Sequence, residues 1–323
     1  MRAAIAAAAE VRTTTSPNPW VGTVVVDDTG RVVGTGATQP PGGAHAEREA
    51  LRHAGAAARG ATLVTTLEPC SHTGRTPPCV GAIVDAGIRR VVVGIEDPDP
   101  KVGGDGIAAL RAAGLDVTVG VEADSVEAQL APYLTHRRTG RPYVVLKLAA
   151  TIDGRMAAPD GTSQWITGEE ARADVHRLRA ESDAVLVGAG TVRVDDPSLT
   201  VRHVQGRDPL RVVLGRAPAG ARVHPCLELD GDLGDVLDEL GRRDVVQLLV
   251  EGGATVAHAF HAAGLVDRYV VYLAPALMGG DDALGLFRGA AAPTIGELRH
   301  GRFESVTRLG DDLRIDLSLR RDT

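Results

Sequence analysis

The sequence predicts an α/β protein of two domains, and three observations carry that reading. Apolar, β-branched runs alternate with helical patterns along the whole chain. The alternation pauses at Arg137-Arg138-Thr139-Gly140-Arg141-Pro142, a charged stretch punctuated by Gly and Pro. The chain has 323 residues, and a domain takes roughly 100–200. In the first half, strands are expected at 23–26, 61–66, 90–95 and 115–119, with helices at 1–11, 45–58, 79–86, 106–113 and 125–138. In the second half the strands are 143–150, 184–188, 210–214, 245–250 and 269–273, and the helices 168–180, 232–241 and 255–263. Residues 303–319 read as terminal antiparallel strands. Strands separated by helices of ten or so residues imply crossover connections and a parallel or mixed sheet. The domains are therefore set at 1–140 and 141–323. The stretch 216–233 is compact, with room for at most a short strand.

Composition narrows the class of function. A formal net charge of -7 and the lack of basic stripes or aromatic platforms argue against a nucleic-acid partner. The three cysteines, Cys70, Cys79 and Cys226, are too few and too odd a set for a disulfide framework, so a reducing cytoplasm is expected. The alanine-rich start carries Glu10 and Arg12 and is too polar for a signal segment. No apolar run approaches the ~18 residues of a membrane span. A soluble protein acting on a small molecule, with no membrane partner, is the expectation.

The first half holds a pattern with chemistry in it. His45-Ala46-Glu47 is followed by Glu68-Pro69-Cys70-Ser71-His72-Thr73-Gly74-Arg75-Thr76-Pro77-Pro78-Cys79. One His and two Cys give Zn²⁺ three protein ligands and leave a fourth position for water, the arrangement of a catalytic site; a structural zinc, or two inert core cysteines, is the alternative. Zinc brings the pKa of bound water towards about 7, and Glu47 supplies the proton shuttle that such a water needs. A helix starting near Ala44 sets His45 and Glu47 side by side in its first turn. Pro77-Pro78 marks another helix start, whose N-terminal end favours a Cys79 thiolate.

This His-x-Glu…Pro-Cys pattern resembles the cytidine-deaminase-like zinc fold, in which the Glu is acid and base and not a ligand. The usual Pro-Cys-x-x-Cys is interrupted here by Ser71–Pro78, a departure that excludes an ordinary cytidine or tRNA deaminase. The interrupted form, together with Ser16-Pro17-Asn18-Pro19-Trp20-Val21-Gly22, is similar to the bifunctional deaminase–reductases of riboflavin biosynthesis, and the likeness spans essentially the whole chain. It implies a cytidine-deaminase-like three-layer domain, with zinc on His45, Cys70 and Cys79 and Glu47 as the catalytic shuttle. Asn18, His72 and Arg75 would then hold the pyrimidine ring and the ribose phosphate, roles that suit an amide and a guanidinium. Read from the residues alone, Asn18 is as well placed as a turn between two prolines, and Arg75 as a solvated loop charge.

The second half says less by itself. Val187-Gly188-Ala189-Gly190-Thr191 and Val250-Glu251-Gly252-Gly253-Ala254-Thr255 each join a strand to a helix through glycine. Such junctions either present backbone N–H groups to a phosphate or are only tight turns. Neither fits the Rossmann fingerprint. Lys147, inside an apolar strand, is either functional or paired, or it is an edge lysine reaching solvent.

The family resemblance extends to residues 146–154, Ser163-Gln164-Trp165-Ile166-Thr167, Thr191–Pro197 and Glu251-Gly252-Gly253. It implies a dihydrofolate-reductase-like domain using NADPH. Substrate contacts would come from Lys147, Ser163, Arg179, Leu199, Arg202 and Glu251. Cofactor contacts would come from Ala149, Trp165, Thr191, Asp195, Gly253, Ala254 and Thr255. Asp153 reads as a turn residue, Asp195-Asp196-Pro197 equally as a loop or helix cap, and Cys226 as an incidental thiol. The implied enzyme deaminates 2,5-diamino-6-(5-phosphoribosylamino)pyrimidin-4-one and then reduces its ribosyl side chain to ribityl. A homo-oligomer is expected. The rival within enzymes is a deaminase whose second domain only binds substrate or dimerises.

Overall fold

The alternation of β-branched runs with helices resolves into two separate main sheets in the computed structural model, which describes residues 1–71, 77–100 and 102–319. The chain divides into Met1–Arg141 and Pro142–Thr323.

In the first unit the elements are α1 (Arg2–Glu10), β1 (Gly22–Val26), β2 (Val32–Ala37), α2 (Ala46–Ala54), β3 (Thr62–Leu67), α3 (Cys79–Asp85), β4 (Arg90–Ile95), α4 (Asp105–Ala112), β5 (Asp116–Val119) and α5 (Ala123–Thr139). The sheet runs β2-β1-β3-β4-β5, antiparallel about β1 and parallel from β3 to β5. Strand periodicity sorts its faces. Val25, Leu63, Val91 and Val93 pack against Ala50 and Leu51 of α2, Ile83 of α3 and Leu110 of α4. Val24 and Val64 point the other way, onto Ala4 of α1. Three layers result, as the deaminase resemblance implies.

Strand β2 was not among the expected strands, because Val-Val-Gly-Thr-Gly-Ala carries two glycines, which are depleted in strands. Those glycines let α2 lie directly on the sheet. A Cβ on Gly34 would stand 2.2 Å from the Ala50 carbonyl oxygen, and one on Gly36 would stand 2.3 Å from that of Ala46. The pattern break near residue 140 is also shorter than expected. Helix α5 continues through Thr139 and stops where Gly140 takes φ 72°, a left-handed C-terminal cap.

Glu68, at the end of β3, organises the loops above the sheet. Its buried carboxylate accepts the backbone N–H groups of Asp97 (3.1 Å), Gly104 (3.0 Å), Gly106 (2.9 Å) and Ile107 (3.1 Å). Two of these donors are otherwise unpaired amides in the first turn of α4, so the carboxylate caps that helix from outside. Gly106 has to be glycine, since a Cβ there would meet the Pro69 carbonyl oxygen at 1.9 Å.

The second unit contains β6 (Tyr143–Thr151), β7 (Arg155–Ala157), α6 (Glu169–Ala180), β8 (Ala184–Gly188), α7 (Ala189–Asp195), β9 (Leu210–Leu214), β10 (Leu227–Leu229), α8 (Leu233–Arg242), β11 (Gln247–Val250), α9 (Ala254–Ala262), β12 (Arg268–Ala274), β13 (Leu284–Gly285), β14 (Gly301–Leu309) and β15 (Asp312–Leu319). The sheet order is β10-β9-β8-β11-β6-β12-β15-β14, parallel as far as β12 and antiparallel through the last two strands. The compact stretch after β9 holds only the three-residue β10. Val144, Leu146 and Leu148 face α8 and α9, while Val145 faces α6 and α7. Alternation puts Lys147 and Ala149 on the α6 side. Because β11 inserts between β8 and β6, a crevice opens at the carboxyl ends of these strands, where open α/β sheets bind ligands. Among the described residues no helix is long and apolar enough to cross a membrane.

Replacing Glu68 by Ala leaves four buried or half-buried amides without their acceptor. A loss of about 3 kcal/mol or more in the stability of the first unit is expected. Calorimetric unfolding with and without zinc measures it, and Glu68→Gln should lose less.

Candidate active sites

Three elements of the first unit converge on one point. His45 is the extended N-cap residue of α2, Cys70 follows β3, and Cys79 is the first residue of α3, after Pro78. His45 Nδ1 lies 3.6 Å from Cys70 Sγ and 3.4 Å from Cys79 Sγ, and the three ligand atoms fall within 4.8 Å of one another. A tetrahedral zinc with Zn–N near 2.0–2.1 Å and Zn–S near 2.3 Å puts its N and S ligands about 3.5 Å apart. The residues therefore fit the metal without rearrangement. The α3 amide assists in a way the sequence did not foretell. The Cys79 N–H donates to Cys70 Sγ at 3.4 Å, so the helix end stabilises the Cys70 thiolate rather than that of Cys79. Hydrogen bonding from Cys79 and from His45 lowers the pKa of Cys70.

Glu47, in the first turn of α2, lines the same cavity of about 370 Å³ and is 3% exposed. Burial pushes its carboxyl up to about 7, the range in which a group both takes and gives protons at neutral pH. Asn18 sits in a turn at the edge of the cavity. Its backbone N–H closes a turn onto Thr15 O at 2.9 Å, and the residue lines the cavity. His72 and Arg75 lie outside the described residues.

Asp97 is a cavity residue that the sequence did not single out, because Asp97-Pro98-Asp99-Pro100 reads as a turn. The fold buries its carboxyl, which accepts the Tyr133 hydroxyl at 3.1 Å on each oxygen and the Asp99 N–H at 2.9 Å. Burial pushes it up to about 6. Asp97 thus joins Glu47, Glu68 and Asp99 among the acids that line the cavity.

In the second unit a crevice of about 580 Å³ sits at the carboxyl ends of β6, β8 and β11. It gathers Lys147, Ala149, Ser163, Trp165, Arg179, Thr191, Asp195, Leu199, Arg202, Glu251 and Gly253, which the sequence scatters over more than a hundred positions. Ala254 and Thr255 are not in its lining. The first is buried at the start of α9 and the second points to solvent, so what they offer a ligand is backbone. No side chain caps α9, and its first amides suit the phosphates of a dinucleotide. The glycines at the junctions are also packing devices. A Cβ on Gly188 or Gly252 would come within 2.8 Å or 2.5 Å of Val256.

Arg179 and Glu251 face each other. Nε and Nη2 donate to the two carboxylate oxygens at 2.6 and 2.9 Å, and Nη1 donates to Thr200 O at 3.2 Å. Lys147 stands beside this pair. Burial lowers its pKa, and the Glu251 charge opposes that fall. The two neighbouring aspartates both line the crevice. Burial raises the Asp195 carboxyl, and Asp196 accepts the Arg222 N–H at 2.7 Å and ties down a loop. Trp165 is 70% exposed at the rim, with the Arg172 guanidinium 4.8 Å from its ring centre. Asp153 accepts the N–H groups of Met278 and Gly279, an anchor for a turn. Cys226 Sγ lies 3.5 Å from His224 Nδ1 and packs at the margin of the core. The sequence reading missed His176, Arg172 and Arg222 in the crevice, since a charged residue on a helix or in a loop carries no signal of which way it faces.

A three-ligand zinc site with a buried glutamate, joined in one chain to a crevice built for a dinucleotide, defines a zinc hydrolase fused to a reductase. The cytidine and deoxycytidylate deaminase zinc-binding region matches residues 1–95, and the RibD C-terminal domain matches residues 142–315. The riboflavin biosynthesis protein RibD of Mycobacterium tuberculosis is 45% identical over 96% of this chain and 94% of its own length. Among solved structures, Acinetobacter baumannii RibD has a TM-score of 0.92 at 37% identity, covering 99% of this chain and 98% of that one. The diaminohydroxyphosphoribosylaminopyrimidine deaminase/5-amino-6-(5-phosphoribosylamino)uracil reductase of Thermotoga maritima has a TM-score of 0.91 at 34% identity, covering 99% and 97%. The chain belongs to the RibD family of bifunctional deaminase–reductases of riboflavin biosynthesis.

Arg179→Ala would leave the Glu251 carboxylate buried without its partner. A destabilisation of about 3–5 kcal/mol is expected for losing one member of such a pair. Urea unfolding of the second unit checks it, and a loss under about 1 kcal/mol would mean that water replaces the guanidinium.

Proposed function

We propose that the first unit replaces the 2-amino group of 2,5-diamino-6-(5-phosphoribosylamino)pyrimidin-4-one by oxygen, and that the second unit then reduces the ribosyl side chain to ribityl with NADPH. The observation that carries this reading is the buried Glu47 carboxyl in one cavity with His45 and Cys70, whose ligand atoms cluster with that of Cys79.

Bound zinc supplies a Lewis acid that makes hydroxide available at neutral pH. Glu47 takes the proton from the attacking water and passes protons to the ring nitrogen and to the departing amine, which leaves as ammonia. Asn18, with one donor and one acceptor, fixes the ring edge, and Asp97 offers acceptors to ring N–H groups. His72 and Arg75 are assigned to the same substrate.

In the second unit the α9 amides and the residues Ala149, Trp165, Thr191, Asp195 and Gly253 would hold the cofactor, which supplies a hydride when bound. Ala254 and Thr255 take part through their backbone. Lys147, Ser163, Leu199 and Arg202 bind the sugar phosphate around the carbon that accepts the hydride. The Arg179–Glu251 pair keeps Lys147 in register beneath it. The reading includes a homo-oligomer in the cytoplasm. Edge strand β14, with Phe303 and Val306 exposed and no strand paired on its outer side among the described residues, supports self-association, and three cysteines in no disulfide suit a reducing compartment.

Ammonia release and NADPH absorbance, followed together on zinc-replete protein, test the two halves separately. Glu47→Gln is expected to lower ammonia release by about 100- to 10,000-fold, the span of a general acid–base group, while zinc content by atomic absorption stays at one per chain. Near-normal ammonia release in that variant would sink the mechanism. Lys147→Ala should cut NADPH oxidation and leave deamination intact, and loss of both would point to unfolding instead.

A further inference from the structure

His176 stands in the wall of the second crevice and has no part in the reading above. It lies on α6, one turn before Arg179, and its side chain is buried. Both residues grip the segment that carries Leu199 and Arg202. His176 Nδ1 lies 3.1 Å from the backbone N of Arg202 and 3.1 Å from the Thr200 carbonyl oxygen. One nitrogen cannot both donate and accept. The Thr200 oxygen already receives Arg179 Nη1, whereas the Arg202 N–H points at the ring nitrogen. The lone pair of Nδ1 therefore faces Arg202, and the proton resides on Nε2.

The surroundings enforce the neutral form. Arg179 faces the ring from its own helix, Arg202 and His203 from the loop, and Glu251 from the end of β11. Burial and the three basic neighbours hold the imidazole down, at about 4. The loop needs such a grip, because Leu199 and His203 take φ of 53° and 68°, a left-handed conformation that side chains other than glycine disfavour.

We infer that His176 is a positioning residue: as a neutral hydrogen-bond acceptor it fixes the turn from Leu199 to Arg202 and so aims both residues at the substrate of the reductase. This rests on the assignment of Leu199 and Arg202 to that substrate.

The test uses the full-length, zinc-replete enzyme and two variants. His176→Phe keeps the ring volume and removes the acceptor, whereas His176→Asn places an oxygen near the position of Nδ1. In His176→Phe the KM for the deaminated pyrimidine is expected to rise about tenfold, as for a buried N–H left without its acceptor, with kcat, the KM for NADPH and ammonia release changed less than about threefold. His176→Asn recovers most of the loss. A KM within about twofold of the parent in His176→Phe, or no recovery in His176→Asn, overturns the inference. Amide hydrogen exchange at Arg202 gives a readout independent of turnover. Protection falls in the Phe variant and returns in the Asn variant, and unchanged protection in the Phe variant overturns the clamp even if the parent oxidises no NADPH. Absent NADPH oxidation in the parent, with the exchange pattern as expected, would count against the reductase reading alone.

Discussion

The carboxylate of Glu68 is the point on which the deaminase unit hangs. A buried carboxylate is costly unless each lone pair finds a donor, and here four backbone amides from the β4–α4 loop and the first turn of α4 converge on it. That convergence fixes Pro69 against the start of α4, and with Pro69 the neighbouring Cys70. It also holds Asp97, which closes the opposite wall of the cavity. The placement of Cys70 and of Asp97 thus depends on one buried side chain, itself part of the cavity lining.

The second unit solves a similar problem with opposite charges. Its crevice needs cations for a phosphorylated substrate, and clustering them in a buried place is unfavourable. Glu251 offsets this by taking the Arg179 fork, so that the charge left for a ligand belongs to Lys147 and Arg202. Because Arg179 also holds Thr200, the same guanidinium links the end of β11 to the loop bearing Arg202. Charge balance and loop geometry are one arrangement there.

Much of this was legible in the sequence. A strand buried on both faces, such as 184–188, lies where its apolar run put it, because no residue of it can face solvent. The zinc ligands were legible because the pattern His-x-Glu with two spaced cysteines has few other uses. Strand β2 was not, since its glycines serve a helix that arrives later in the chain. Asp97 and His176 were invisible for a related reason: an aspartate in a Pro-rich turn and a histidine on a polar helix acquire meaning only from what long-range packing sets against them. Ala254 and Thr255 illustrate the converse: they follow Gly253, which lines the crevice, but are themselves absent from its lining.

The hydrogen bond from the Cys79 amide to Cys70 Sγ has a consequence for how the protein acquires its metal. Cys70 and Cys79 are nine positions apart, and bringing such ends together from an open chain carries an entropic cost that an incoming ion would otherwise have to offset. In this chain the helix start and the loop end are already tied by the backbone. Part of that entropy is therefore lost in folding rather than on metal binding, so the ion need not close the loop between its two sulfur ligands unaided.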